Sequence, residues 1–399
     1  MQTVLFIVPE LLPVPPTEGG AVEHWVHEVS QKLAEMGLRV AVISRPAHDM
    51  DGQPKIAYLG VPWTRAARLL LKIKQTCSRR NPLRSLAKVA NVLGYALGVR
   101  RLVRLLNPDI IYVHNDPLLV LLIRKRAGQR LVLHMHNDHL AALLLKPILN
   151  AVLEKTDQVL CVSEHIRRSA CDAAPKHVLK LATVLNATDP DFFKHYSNDE
   201  ASQAVRRTHG DAEAFHFLYV GRLTPDKGAH VLIDAFTTVQ SRFPQARLVI
   251  TGSSFFADAP STDYQRRLAI QAVALTDAIE FTGFVPHDKL RYLYSDADAV
   301  VVPSIWQEPF GLVVIEAMSS QTCVIATRVG GIPEVISHEE TGLLVDPNDA
   351  QGLVSAMTRV VLDAELRKRL ASAARQDVLR RFSYQRLSND IATSLTQRV

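Results

Sequence analysis

The segment that decides the fold of this chain is PSIWQEPFGLVVIEAM, residues 303–318. It follows the short apolar stretch 299–302, which has the length and composition of a buried strand. Pro309 and Gly311 precede an apolar run that starts at Leu312, and this pattern is typical of a helix start. A strand, a turn and a helix in this order predict one repeat of an α/β domain with a parallel sheet.

The same segment carries two glutamates, Glu308 and Glu316, eight positions apart. A helix that begins after a buried strand presents free N–H groups to an anion, here those of Phe310, Gly311 and Leu312. Carboxylates, by contrast, accept hydrogen bonds from hydroxyl groups. The segment therefore predicts a ligand with a diphosphate flanked on both sides by hydroxyl-bearing groups, and a nucleotide-sugar has this structure.

The motifs PS at 303–304, EPFG at 308–311 and EAM at 316–318 occur here in one order. Together they resemble the E-x7-E signature of retaining glycosyltransferases of the GT-B architecture, above all glycosyltransferase family 4. The stretch VIATRVGGIPE at 324–334 is similar to the family as well. The resemblance implies an α/β fold with two Rossmann-like, doubly wound parallel-sheet domains that face each other across a cleft. The alternative is an ordinary strand–turn–helix repeat of an α/β core.

The resemblance also implies roles for these residues. Glu316 would hold the ribose hydroxyls, and Glu308 would bind the hydroxyls of the donor sugar. The backbone N–H groups of Phe310, Gly311 and Leu312 would meet the phosphates. The reaction would move a sugar from a nucleotide-sugar to an acceptor hydroxyl with retention of configuration.

A second motif, GRLTPDKG at 221–228, follows the first strand expected in the second half of the chain. It matches the G-R-x4-K-G pattern of the family, in which the arginine and the lysine contact the donor diphosphate. Here these residues are Arg222 and Lys227. Two cations at this point would stabilise the charge that builds up on the departing nucleoside diphosphate. The alternative is unspecific surface charge.

Gly19 and Gly20 lie between a proline-rich loop and an expected helix. A glycine pair at this place allows the backbone to approach a ligand closely. It is similar to the first glycine-rich loop of the family, and the alternative is a plain loop hinge. The pair is not part of a G-x-G-x-x-G loop, which argues against a nicotinamide enzyme.

Histidines end two of the expected strands. The family often has a histidine near the donor sugar at the tip of the strand that ends in LVLHMH here. His136 is nearest the strand end, but His134 shares its face, so both remain candidates. The alternative is a core histidine with a structural hydrogen bond. His114, Asn115 and Asp116 end another strand and are candidates for acceptor contact.

Asp296 and Asp298 spell DxD, which is the metal signature of a different glycosyltransferase architecture. Asp298 runs directly into a strand and is better explained as a residue that starts it. Arg222 and Lys227 already supply the positive charge that a metal would bring. We therefore expect neither an essential metal nor a cofactor.

Composition sets further limits. A chain of 399 residues, 47% of them hydrophobic, favours two domains. Four cysteines, scattered without the spacing of metal ligands, are typical of a reduced cytoplasmic protein. No apolar run approaches the roughly 18 residues that a bilayer-spanning helix needs. We expect a cytoplasmic protein that is at most peripheral, on the inner face of the cytoplasmic membrane.

The net charge of +6 is unevenly distributed. Residues 52–108, here called the basic segment, contain twelve Lys or Arg and no Asp or Glu. Leucines are interleaved with these cations, as in helices that bind anionic membrane surfaces or anionic lipid-linked acceptors. Two other interpretations remain open, a plain solvated surface and, least favoured, nucleic acid, which we do not expect as a partner.

Hydrophobic periodicity predicts two series of alternating strands and helices, and this alternation indicates parallel doubly wound sheets. In the first series the strands lie at 4–8, 39–44, 110–114, 130–136 and 158–162, and the helices at 20–35, 83–106, 118–126 and 140–155. In the second the strands lie at 217–220, 247–251, 279–282, 299–302 and 324–326, and the helices at 228–240, 264–275, 287–294 and 312–319, with a helical tail from 349.

We expect an N-terminal Rossmann-like acceptor-side domain at 1–190 and a nucleotide-sugar-binding domain at 191–380, with a polar linker region at 189–210. The resemblance implies that the last helix, 381–399, crosses back to the first domain. The acceptor would be a glycan or a lipid-linked precursor in the synthesis of a surface polysaccharide or lipopolysaccharide. The base could be uracil or guanine, and sequence leaves the sugar and the linkage open. Two alternatives remain, a catalytically silent GT-B protein with a structural or nucleotide-binding role and a nucleotide-sugar epimerase.

Overall fold

A computed structural model describes residues 2–16, 20–46, 55–62, 82–142, 145–196, 214–253 and 262–396. By the contacts within it, the chain divides into two compact units. The first unit comprises Met1–Val184 and Leu387–Val399, and the second comprises Leu185–Arg386. Gly19 and positions 52–54 and 63–81 of the basic segment lie outside the described residues.

In the first unit, the described residues form a sheet of seven parallel strands in the order β3-β2-β1-β4-β5-β6-β7. Its central strands are apolar on both faces because helices cover both sides, as in other parallel sheets. The strands are β1 Thr3–Ile7, β2 Arg39–Ser44, β3 Ile56–Gly60, β4 Ile110–His114, β5 Arg130–Met135, β6 Gln158–Cys161 and β7 Leu181–Thr183. The helices are Ala21–Glu35, Pro82–Leu106, Pro117–Leu122, His139–Ala142, Lys146–Lys155 and Glu164–Ala173.

The second unit repeats this architecture with six described parallel strands in the order β10-β9-β8-β11-β12-β13. The central strand β11 is buried on both faces, so it has the apolar run expected of such a strand. The strands are β8 Phe215–Val220, β9 Ala246–Thr251, β10 Ile279–Gly283, β11 Ala299–Val302, β12 Cys323–Thr327 and β13 Leu343–Val345. The helices are Ala229–Arg242, Asp263–Gln271, His287–Asp296, Leu312–Ser319, Ile332–Val335, Ala350–Leu362 and Ala364–Arg381.

The last helix, Tyr384–Thr396, begins in the second unit, and its residues from Leu387 onward belong to the first. Within the first unit, the Arg130 guanidinium donates a hydrogen bond of 2.5 Å to the carbonyl oxygen of Leu395. It also donates to the carbonyl oxygen of Ser394 at 3.3 Å. These bonds satisfy carbonyl groups at the helix C-terminus, which have no partner inside the helix.

Two parallel α/β units confirm the predicted fold class, but several boundaries were wrong. The strand expected at 130–136 ends at Met135. The helix expected at 118–126 ends at Leu122, because Ile123 has an extended conformation. The helix expected at 140–155 is two helices, because Leu145 is extended and caps the second. Sequence reasoning missed the strands β3, β7 and β13 and the helices Glu164–Ala173 and Ile332–Val335.

None of the helices in the part of the chain that the structure describes combines the length and the apolar character needed to cross a membrane.

Candidate active site

The two sequence motifs of the second unit follow neighbouring strands of its sheet. Strand β8 ends at Val220 and runs into Gly221 and Arg222, and its neighbour β11 ends at Val302 and runs into the 303–311 turn. The strand order reverses between these two strands. In doubly wound sheets, ligands bind outside the carboxyl ends of the strands at such a reversal. The two motifs therefore meet where the fold places its binding site.

The closest contact in this site joins Lys227 to Glu308. The Glu308 side chain is nearly buried, and its Oε1 accepts hydrogen bonds from Lys227 Nζ at 2.5 Å and from Ser304 Oγ at 2.6 Å. Lys227 Nζ also lies 5.1 Å from the ring centroid of Trp306, within range of a cation–π interaction. A lysine and a glutamate 81 positions apart thus form one ion pair, which orients both side chains.

Two glycines allow this contact. Gly228 follows Lys227 at φ +70°, and a Cβ there would lie 1.9 Å from the carbonyl oxygen of Pro303. Gly330 has φ +53°, and its Cβ would lie 2.0 Å from the carbonyl oxygen of Glu308. That same carbonyl accepts a hydrogen bond of 2.7 Å from the Gly331 N–H. At Gly228 and at Gly330, the backbone of the 303–308 turn therefore lies too close to leave room for any side chain.

Replacing Gly228 tests this packing. Gly283 has nearly the same φ, +71°, but its Cβ would have no neighbour within 4 Å, so it is a matched control. Gly283→Ala should cost about 1–2 kcal/mol for the left-handed backbone alone. Gly228→Ala should cost about 1–3 kcal/mol more, because a main-chain oxygen must move. The free energy of unfolding in urea measures both, and equal losses would contradict the packing described here.

Arg222 lies at the carboxyl end of β8 and is exposed. The Tyr219 hydroxyl donates to its carbonyl oxygen at 2.9 Å, and the Leu223 N–H donates to Ser253 O at 2.9 Å. These bonds fix the turn that carries the side chain. Within the described ranges, the guanidinium forms no ion pair or side-chain hydrogen bond, so its charge is available to an anion.

The helix Leu312–Ser319 starts as the sequence predicts. Gly311 precedes it in a left-handed conformation with φ +98°, and Phe310 is 2% exposed and packs edge-to-face against Phe382. Because the first N–H groups of a helix have no partner within it, this end offers donors and a partial positive charge. Phe310, Gly311 and Leu312 lie at this end of the helix.

Glu316, one turn into the helix, is held by two side chains that sequence reasoning missed. The Tyr294 hydroxyl donates to Glu316 Oε2 at 2.8 Å, and His287 Nε2 lies 3.7 Å from Oε1. Burial raises the pKa of Tyr294 well above its usual value, so the hydroxyl stays protonated and keeps donating. His287 and Tyr294 are seven positions apart on one helix and therefore share a face. That spacing is the signal that could have revealed them.

In the first unit, Gly20 lies directly before the helix Ala21–Glu35 with φ +105°. A Cβ there would lie 2.2 Å from Glu23 Oε2 and 2.8 Å from Leu12 Cδ1, so these two side chains would have to move, and the positive φ itself favours glycine. Burial raises the pKa of Glu23 above its usual value.

The two candidate histidines have different surroundings. His134 is fully buried, and its Nδ1 lies 3.0 Å from the Tyr112 hydroxyl. His136 follows the end of β5 and is partly exposed, and its backbone N–H donates to Asn115 Oδ1 at 2.8 Å. His136 is therefore the one of the two that a ligand can reach. Asp116 accepts a hydrogen bond from the Leu119 N–H and caps the helix Pro117–Leu122.

The DxD sequence lies at the opposite end of β11. Asp296 is the last residue of the helix His287–Asp296, and Asp298 directly precedes the strand. Asp298 Oδ2 accepts a hydrogen bond of 2.9 Å from the His216 N–H, and the Asp298 N–H donates to His216 O at 2.9 Å. Asp298 thus joins the amino-terminal ends of β8 and β11, away from the strand ends that carry Arg222 and Glu308.

Comparison with known proteins bears on this site. The family model described as "Glycosyl transferases group 1" matches residues 203–377, and the model described as "Glycosyltransferase Family 4" matches residues 19–192. The protein YtcC of Bacillus subtilis (strain 168), which is named as a glycosyltransferase, is 32% identical to this chain over 69% of each. The "Lipopolysaccharide 1,2-N-acetylglucosaminetransferase" of Salmonella typhimurium is 25% identical over 97% of this chain and 96% of its own.

A solved structure supports the fold. The crystal structure of Anabaena Alr3699/HepE in complex with UDP and glucose superposes with a TM-score of 0.75 at 21% identity, over 98% of this chain and 99% of that one. The likeness shows that the two parallel-sheet units form a GT-B fold. Taken with the sequence relatives, it shows that this chain belongs to the group 1, family 4 glycosyltransferases.

Proposed function

We propose that this chain is a retaining glycosyltransferase that moves a sugar from a UDP- or GDP-sugar to a hydroxyl of a glycan or a lipid-linked acceptor. One observation carries the proposal: four charged residues lie just beyond the carboxyl ends of the neighbouring strands β8 and β11. These are Arg222, Lys227, Glu308 and Glu316. UDP in the Anabaena structure supports uracil as the base, and the name of the Salmonella relative supports a role in surface polysaccharide or lipopolysaccharide synthesis.

Different residues bind the ribose, the diphosphate and the sugar of the donor. Glu316, oriented by Tyr294, accepts hydrogen bonds from the ribose hydroxyls. The backbone N–H groups of Phe310, Gly311 and Leu312 bind the diphosphate at the start of the helix. The sugar hydroxyls bind Glu308, which Lys227 and Ser304 hold in place. From the first unit we assign His136, Gly19 and Gly20 to the donor, by resemblance to the family.

Retention is proposed to occur by attack on one face of the sugar. The bond from the anomeric carbon to the diphosphate breaks, and the acceptor oxygen forms its bond on the same side. The acceptor proton passes to the departing phosphate oxygen. Glu308 is already paired with Lys227, which makes it a poor covalent nucleophile, unlike the second carboxylate of retaining glycosidases. Arg222 and Lys227 stabilise the negative charge that develops on the diphosphate.

The stereochemistry of the product tests this proposal. With an α-linked UDP- or GDP-sugar and a lipid-linked glycan acceptor, the first product should carry an α-linkage. The coupling constant of its anomeric proton in an NMR spectrum distinguishes the two outcomes. A β-linked first product would rule out retention, and free sugar isomerised without any acceptor would point to an epimerase.

Transfer should not depend on a divalent metal, because Arg222 and Lys227 supply the positive charge at the diphosphate. We expect the initial rate after exhaustive treatment with EDTA not to fall more than about twofold below the untreated rate. The measurement is product formation with and without added Mg²⁺ or Mn²⁺. A rate that falls to background and returns only with metal would contradict this assignment.

We also propose that the basic segment contacts an anionic membrane surface. In its described part, the helix Pro82–Leu106 exposes Leu93, Leu97 and Leu105 to solvent, each more than half exposed. Arg101 and Arg104 are exposed on the same helix. Leucines beside cations suit an interface in which the apolar groups enter the lipid and the charges meet its headgroups. This would place the protein on the inner face of the cytoplasmic membrane.

Liposome sedimentation tests that surface. Replacing Arg79, Arg80 and Arg84 with Ser should weaken binding to vesicles rich in anionic lipid by about tenfold or more, since each cation near the surface contributes about 1 kcal/mol. Binding should also fall as salt screens the charges. The control replaces Arg242, Arg267 and Arg369, which are exposed on the second unit, with Ser and changes the net charge equally. Equal losses in both triple variants would mean that only overall charge matters.

A further inference from the structure

Three histidines meet at the carboxyl ends of β4 and β5 in the first unit. They are His114, the last residue of β4, His134 in β5 and His136 just beyond β5. Each ring offers one nitrogen such that these three atoms all lie within 4.8 Å of one another. The cluster forms because β4 and β5 pair in parallel with His114 beside His134, and because His136 follows two positions later on the same face.

The ring nitrogens are close to the spacing of metal ligands. His114 Nδ1 lies 3.0 Å from His136 Nε2. Two imidazole nitrogens bound to one tetrahedral Zn²⁺ at about 2.0–2.1 Å are separated by about 3.4 Å. A metal ion can therefore replace the proton shared by these two rings with little movement. For the most distant pair, the rings must turn to bring the nitrogens about 1.4 Å closer.

Some ring nitrogens of the cluster have no hydrogen-bond partner. His134 Nδ1 is hydrogen-bonded to the Tyr112 hydroxyl at 3.0 Å, and its Nε2 has no partner. His114 Nε2 is also buried without a hydrogen-bond partner, but this ring faces His136 through Nδ1, so an ion between the two rings would not bind it. Leaving a buried polar nitrogen without a partner is costly, so such atoms call for an explanation. A metal ion that binds the lone pair of His134 Nε2 provides one for that atom.

The chemistry of the pocket selects the kind of ligand. All three candidate ligands are imidazole nitrogens, with no carboxylate or thiolate among them. Trp25 packs edge-on against each of the three rings. Imidazole ligands in an aromatic shell suit Zn²⁺, Cu²⁺ or Ni²⁺, whereas Mg²⁺ and Ca²⁺ require oxygen ligands.

We propose that His114, His134 and His136 form a binding site for a transition-metal ion of the zinc class. The Tyr112 hydroxyl orients His134 so that Nε2 faces the ion, the usual task of a second partner on a metal-bound histidine. His136 is partly exposed and provides the path of entry. The proposal goes beyond the transfer reaction and rests on the geometry of the first unit alone.

This ion would take no part in diphosphate chemistry, which the residues of the second unit carry. It would instead occupy His136 and withdraw that ring from the donor sugar. The proposed role of His136 in transfer and the metal-bound form therefore exclude each other. Chelation should therefore not slow transfer, and it should raise the rate of chains that carry the ion.

The test measures metal binding directly. The full chain, prepared without a histidine tag and stripped with EDTA, is titrated with ZnCl₂ by calorimetry, and we expect one Zn²⁺ per chain. Thermal unfolding should shift upward with Zn²⁺ and not with Mg²⁺. Co²⁺ in place of Zn²⁺ should give the intense visible bands of tetrahedral coordination. No uptake at one equivalent by the wild-type chain would overturn the proposal, whatever the chain does with nucleotide-sugars.

Variants locate the site. His136→Asn removes the one exposed ligand and should weaken Zn²⁺ binding at least 100-fold. Tyr112→Phe keeps all three ligands and should weaken it about 10- to 100-fold, since it removes only the orienting bond. His177→Asn, which lies elsewhere in the same unit, should leave the affinity unchanged. Equal Zn²⁺ affinity in the wild-type and His136→Asn chains would show that the ion binds elsewhere and would overturn the proposal.

Discussion

The Arg222→Ala variant should turn over about 100- to 1,000-fold more slowly than the wild-type chain, with its free energy of unfolding unchanged. The magnitude is that of removing one group aimed at the charge that develops in a transition state. Stability should not change because the exposed guanidinium makes no side-chain bond within the described residues, while the turn itself is fixed through backbone atoms. Arg222→Lys should recover part of the rate, because it restores the positive charge but not the planar set of N–H donors of a guanidinium.

The measurement is kcat and KM with saturating acceptor. Because the interaction strengthens as the diphosphate departs, the loss should appear in kcat more than in KM. Arg266→Ala removes an exposed arginine on the helix Asp263–Gln271 of the same unit; it is the control for loss of a positive charge and should keep the wild-type rate. Wild-type turnover in Arg222→Ala would show that this side chain does not act on the leaving group.

The second large effect is on donor binding. Glu316→Ala should raise the dissociation constant of the nucleotide-sugar at least about 100-fold. Each hydrogen bond to a charged group is worth about 1.5–3 kcal/mol, and the ribose presents two hydroxyls to this carboxylate. The substitution also leaves the buried Tyr294 hydroxyl without its acceptor. Calorimetric titration with the donor measures the change.

Tyr294→Phe separates orientation from binding. It keeps the Glu316 carboxylate but removes the bond of 2.8 Å that orients it, so donor affinity should fall by about tenfold, less than in Glu316→Ala. Glu365→Ala, on the exposed side of the helix Ala364–Arg381, is the control for loss of a carboxylate. Wild-type donor affinity in Glu316→Ala would remove the ribose assignment.

The strands and helices that sequence predicted well have strong local patterns. Strand β11 is an apolar run that stops at a proline, and the helix Leu312–Ser319 follows a Pro-Phe-Gly start, so both bounds were correct. The missed strands β7 and β13 have three residues each, too few for any periodicity. The missed helix Glu164–Ala173 is mostly polar and buries only Ile166 and Ala170, and its main signal is the Ser163 N-cap.

The site was predictable in its motifs but not in its contacts. The spacing of Glu308 and Glu316 is visible in the sequence, but the ion pair between Lys227 and Glu308 joins residues 81 positions apart. Such a contact depends on which strands become neighbours, and a single sequence gives no measure of that. The histidine cluster has the same origin, because His114 meets His134 only through the register of β4 and β5.

The most direct test of a nucleotide-sugar-dependent transferase is thermal unfolding of the wild-type and Glu316→Ala chains against UDP-, GDP- and ADP-sugars. At about 100 times its dissociation constant, a ligand stabilises a fold by about 2.7 kcal/mol. We predict that one UDP- or GDP-sugar raises the midpoint of the wild-type chain and leaves that of Glu316→Ala unchanged. No shift with any nucleotide-sugar, or an equal shift in both chains, would contradict the donor site described here.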